Sequence, residues 1–108
     1  MGDEVNHYIY TEYGPGMFSH EYFVTFHTKD GITGIYVNRT DVSPKDMPLD
    51  DKVRDGIVKV GVMSNDGKSP ILLEENNQRY VLVGINDTGE HRVSRFYVPL
   101  ETLIALPN

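Results

Sequence analysis

One alanine in 108 residues, Ala105, stands against 26 Val, Ile and Thr residues, and this imbalance constrains the fold more than any other feature. Alanine favours helices because it has no side-chain entropy to lose. β-Branched side chains lose rotamer freedom against the preceding helical turn but pack well on a pleated surface. The chain is therefore predicted to be mainly β. Its six prolines and ten glycines then read as punctuation between short strands.

The local pattern agrees. Val5 to Tyr13 is rich in aromatic and β-branched residues and stops at Gly14-Pro15-Gly16. Glu21 to Thr28 alternates, with Tyr22, Val24 and Phe26 on one face and Phe23, Thr25 and His27 on the other. Asp30-Gly31 tolerates positive φ, and Ile32 to Asn38 returns, which predicts a hairpin. Ile57 to Met63, Ile71 to Glu75, Gln78 to Ile85 and Glu90 to Val98 read as further strands separated by polar turns. The nearly apolar Gln78–Ile85 run predicts a central strand covered on both sides. In the last strand Val93 and Phe96 are out of phase, which predicts a bulge near Ser94.

Two segments break the β rhythm. Across residues 43-55 one or two helical turns are expected, because Ser43 can cap a helix, Pro44 suits its first position and Asp46 favours its positive end. After Pro99, Leu100 to Leu106 predicts a short C-terminal helix with Leu100, Leu103 and Ile104 turned inward. The expected architecture is a small barrel or sandwich of about seven short antiparallel strands, in a single domain over residues 1-108. The last strand, Pro99 and the apolar segment behind it resemble the end of an SH3-like barrel. That resemblance covers about the last twenty residues and implies a terminal turn that plugs one barrel mouth.

Charge and cysteine content narrow the function. Sixteen acidic and ten basic residues give a net charge of −6, spread along the chain, so a broad phosphate-neutralising face is not expected. Without cysteine there are no disulfides, thiolate metal sites or cysteine nucleophiles. The start Met1-Gly2-Asp3-Glu4 is acidic where a secretory leader would be basic, and no apolar run approaches the ~18 residues of a membrane span. A cytoplasmic location without membrane contact is expected.

No reaction centre assembles on paper, and no cofactor is implied. Adjacent Glu74 and Glu75 point to opposite faces of a strand. A metal or small-ligand site in a barrel would need His27 together with His7 or His91, since His20 falls on the opposite face. Arg79, His91, Arg92 and Arg95 form the basic concentration of the second half. They are candidates for holding an anion, or for pairing with Glu74, Glu75 or Glu90 across the sheet, and the three arginines would carry any weak nucleic-acid binding. The densest feature is aromatic: Tyr8, Tyr10, Tyr13, Phe18, Tyr22 and Phe23 crowd around Gly14-Pro15-Gly16, and aromatic residues are enriched at interfaces. The leading expectation is a non-catalytic protein-interaction or regulatory module that docks a protein partner or a second copy of itself through this aromatic half and an exposed sheet edge.

Overall fold

A computed structural model of the chain describes residues 5–44 and 52–107. Among the described residues there are nine strands: β1 (Val5–Pro15), β2 (Glu21–Thr28), β3 (Gly31–Asn38), β4 (Val42–Ser43), β5 (Arg54–Val62), β6 (Leu72–Glu75), β7 (Gln78–Asp87), β8 (Arg92–Pro99) and β9 (Leu103–Pro107). All pair antiparallel, in the order β3-β2-β1-β5-β7-β6, with β4 on β5, β8 on β7 and β9 on β1.

β1 is the spine of the sheet. One of its edges pairs with β5 from His7↔Val60 to Tyr13↔Arg54, and the other takes β9 along Val5–Ile9 and β2 along Glu12–Pro15. At the fork between β9 and β2 the Thr11 hydroxyl donates to the Thr25 carbonyl at 2.8 Å, which supplies a partner where the ladder opens.

The turns follow their residues. Asp30-Gly31 closes the β2–β3 hairpin as expected, with Gly31 at φ 114°, and the register runs unbroken from Thr28↔Gly31 to Glu21↔Asn38. Asn76 and Asn77, at φ 52° and 64°, make the two-residue β6–β7 turn, the pairing of positive φ values that matches strand twist. Asp66 accepts the backbone N–H groups of Lys68 and Ser69 ahead of Gly67, and these two bonds hold its carboxyl below the ordinary carboxylate range.

Alternate residues of the strands meet in one core. Ile9, Tyr13, Tyr22, Val24, Val37, Val42, Val58, Val81, Val83, Ile85 and Val98 are fully enclosed. The sheet curls into a half-barrel as the β2–β3 hairpin comes over β7 and β8. Phe26 meets Phe96 edge-on at 5.2 Å between centroids, the Lys29 N–H donates to the Tyr97 carbonyl at 2.9 Å, and the Thr88 N–H donates to the Tyr36 carbonyl at 2.9 Å.

The structure corrects several expectations. No C-terminal helix forms: Leu100–Thr102 is a single 3-10 turn, and Leu103–Pro107 is a strand on β1. A helix that short is marginal, whereas the open edge of β1 offers each residue a ladder partner. No bulge occurs near Ser94, since β7 and β8 pair continuously from Tyr80↔Pro99 to Asp87↔Arg92. Val93 and Phe96 instead serve opposite faces. Phe96 packs inside, and Val93 lies over Gly84 on the outer face, where a Cβ on Gly84 would come within 2.7 Å of it. The central strand β7 is enclosed at Val81, Val83 and Ile85, but its outer face is only partly covered, with Asn86 exposed. Of the helical turns expected across 43-55, Ser43 lies in β4 and Arg54 and Asp55 open β5, while residues 45–51 lie outside the described residues.

Candidate interaction edge and cleft

Strand parity divides the aromatic cluster. Ile9, Thr11 and Tyr13 share the inner face of β1, so Tyr8 and Tyr10 face outward, Tyr8 half-buried and Tyr10 61% exposed. Tyr13 and Tyr22 are wholly buried and pack on each other at 4.9 Å between ring centroids, tilted by 57°. They belong to the core and offer no surface. Phe18, in the β1–β2 loop, is 62% exposed and stacks on His20 at 5.8 Å. The alternation of Tyr8 and Tyr10 with Ile9 already carried this division of β1 in the sequence.

The four basic residues do not gather at one place, although His91 and Arg92 both line a cleft beside the β7–β8 turn and Arg92 and Arg95 share a smaller one along β8. Arg79 stands opposite Glu74, Arg95 opposite Gly84 and Arg92 opposite Asp87. Arg79 and the position facing Arg92 are eight residues apart on β7, about 26 Å at strand rise, and Arg92 and Arg95 lie on opposite faces of β8. His91 sits in the β7–β8 turn at φ 55°. His7 is on the inner parity of β1, and His27 is exposed on the outer face near the hairpin tip. The metal arrangement of His27 with His7 or His91 is therefore not assembled, and among the described residues no group of three His, Asp or Glu side chains is placed to hold a metal ion.

What the fold does assemble is a cleft of about 1070 Å³ between the β1–β2 loop, the outer edge of β3 and the β7–β8 turn. Its frame is two buried carboxylates. Glu21 accepts the Met17 N–H at 3.1 Å on one oxygen and the Thr88 hydroxyl at 2.8 Å on the other, tying the loop to the turn. Asp87 accepts the Glu90 N–H at 3.1 Å and the Ser94 hydroxyl at 3.2 Å, which shapes the turn. Gly16 lets the loop close down, because a Cβ there would stand 2.7 Å from Glu21 Cγ and 2.8 Å from the Glu21 carbonyl oxygen. Glu21 and Asp87 were not among the residues the sequence pointed to. Their partners come from distant strands, and nothing local marks them.

One wall of the cleft is a free strand edge. The Tyr36 carbonyl accepts from Thr88 and so points away from β2, and by alternation the backbone groups of Gly34 and Ile32 point the same way. Among the described residues no backbone group bonds to Ile32 or Gly34 on that side. Ile32 is 71% exposed. Beside it Gly34 is covered by the Phe23 ring, whose Cζ occupies the space where a Cβ would stand; Tyr36 packs against the same ring at 5.0 Å between centroids.

Elsewhere, Asp41 ends the 3-10 turn Arg39–Asp41 and is half-buried, and its burial pushes the carboxyl above the ordinary carboxylate range against the opposing pull of Lys59. No helix among the described residues is long and apolar enough to cross a membrane. The chain matches no protein-family model, and no curated protein or solved structure is significantly similar to it.

Proposed function

We propose that this chain is a non-catalytic interaction module that takes an extended polypeptide strand along the free edge of β3. The observation that carries this reading is the pair of outward-facing, unpaired residues Ile32 and Gly34 on a strand that borders the cleft. Backbone N–H and C=O groups in a row are a template for an added strand, and side-chain pockets beside them discriminate between sequences. Phe18 and Tyr36, which line the cleft beside this edge, offer the aromatic surface for such discrimination. The SH3-like kinship of the C-terminal end belongs to the same proposal, supported by the succession of β8, Pro99, the 3-10 turn and β9.

Selection of displayed random peptides on the folded protein, followed by amide chemical-shift mapping, tests the reading. Bound peptides are expected to perturb Ile32, Gly34 and Tyr36 and to lose binding to an Ile32→Pro variant, which lacks the outward N–H. Perturbations confined to another face would overturn it.

A further inference from the structure

We propose that the gap on β5 between β4 and β7 binds a small zwitterion of the α-amino acid class, with its carboxylate on Lys59 and its ammonium on Asp41. The gap arises from the topology. Along one edge of β5 the ladder to β4 ends at Val42↔Val58, and the ladder to β7 begins at Gly61↔Gly84. The Met63 N–H donates to the Leu82 carbonyl on that edge, so by alternation Lys59 turns its own N–H and C=O into the gap, where neither ladder reaches it. Asp41, one residue before Val42, and Asn86, two residues beyond Gly84, flank Lys59 from either side. Lys59 lies between buried Val58 and Val60, and Asn86 between buried Ile85 and Asp87, so both side chains face outward. Together with Asp41 they line a cavity of about 310 Å³, which shares Asn86 and Val93 with the larger cleft beside β3.

The cavity has the chemistry of a dipolar ligand. The Lys59 ammonium is near enough to favour an ionised Asp41, yet the two do not close into a salt bridge. Among the described residues no hydrogen bond or ion pair engages the Asp41 carboxylate, the Lys59 ammonium or the Asn86 amide. A ligand that carries both charges completes both half-pairs, whereas a simple anion also meets Asp41 and a simple amine also meets Lys59. The floor is open at Gly61, where a Cβ would find nothing nearer than the Gly84 carbonyl oxygen at 4.0 Å. Gly84, by contrast, is already covered by Val93 and Met63, which wall the cavity with apolar surface. A short aliphatic side chain fits over Gly61 against that wall. The volume stands at the lower end of ligand sites, ~300 Å³, which suits an amino acid better than a nucleotide.

Amide chemical-shift titration of the full chain with alanine, serine and methionine tests the proposal, with propionate, ethylamine and N-acetylalanine as controls. Saturable shifts at Lys59, Gly61 and Asn86 are expected from at least one of the three amino acids at up to about 10 mM, and from none of the controls. Asp41→Asn and Lys59→Gln should each weaken that binding by about tenfold or more, because each removes one of the two charge-assisted contacts. Gly61→Ala, whose methyl group enters open space, should fold as the wild type does and weaken the binding by roughly tenfold by filling the floor. No saturable shift at these residues, equal shifts from propionate or ethylamine, or full affinity in Asp41→Asn would overturn the proposal. Peptides selected on the β3 edge are expected to bind Asp41→Asn and Lys59→Gln as they bind the wild type, so the amino acid site and the edge reading can each fail alone.

Discussion

The Thr88 hydroxyl donates to Glu21 at 2.8 Å across 67 residues of sequence, and this bond fixes the β7–β8 turn over the β1–β2 loop. The carboxylate also holds the Met17 N–H, so truncating Glu21 frees two donors at once. Hydrogen bonds to charged groups are the stronger class. Glu21→Ala is expected to lower unfolding free energy by about 2–3 kcal/mol in urea titrations, and Glu21→Gln by about half as much, because the amide oxygen retains one acceptor site.

The division of the tyrosines predicts opposite outcomes for similar substitutions. Tyr22→Ala empties a wholly buried site and should destabilise by about 3–5 kcal/mol. Tyr10→Ser, on an exposed side chain, should stay within about 0.5 kcal/mol. Chemical denaturation of the two variants side by side decides the matter, and equal effects would refute the assignment of Tyr22 to the core.

Gly16→Ala introduces a methyl group against the Glu21 backbone, which has little room to retreat. Its expected effect is a loss of about 1–3 kcal/mol, with hydrogen exchange rising first at Met17 and Thr88. Gly34→Ala differs, because the Phe23 ring that it meets is partly exposed and can swing aside. Stability close to wild type is expected for that variant in the same assay.

Asp41 makes stability depend on pH. Its carboxyl is raised in the folded state chiefly by burial, so the folded chain keeps a proton over a window in which the unfolded chain has released it. Stability therefore declines as pH climbs from the ordinary carboxylate range through the raised value, and a constant deficit persists above it. Asp41→Asn should raise the melting temperature slightly at neutral pH and lose that advantage in acid, where both states are protonated. An advantage of the same size at every pH would contradict this account.

The Asp30-Gly31 hairpin, the alternation of β2 and most strand positions were legible because turn chemistry and period-2 patterning are local. The strand Leu103–Pro107 was not. Its apolar residues fit a helical turn as well as a strand, and only the edge of β1, about a hundred residues earlier, selects the strand. Val93 and Phe96 looked out of phase because one face was assumed to take all the apolar residues, whereas Gly84 opens a second seat outside. The cleft was half legible. Phe18 was singled out and lines it, but Glu21 is recognisable only once Met17 and Thr88 stand beside it. The free edge of β3 was visible in composition as a strand without charge or proline, yet its being an edge depends on the strand order.

The pairing of Val5 with Pro107 brings the two ends of the described chain side by side, about 5 Å apart at Cα. A short linker could join them, and the chain could be reopened at the Asp66-Gly67 turn to give a circular permutant with the same ladders. By the same adjacency, sequence fused before Val5 and after Pro107 would leave from one corner of the half-barrel. Two fused tags would then report on each other by energy transfer whenever β9 is docked, and would lose that signal as it peels from β1.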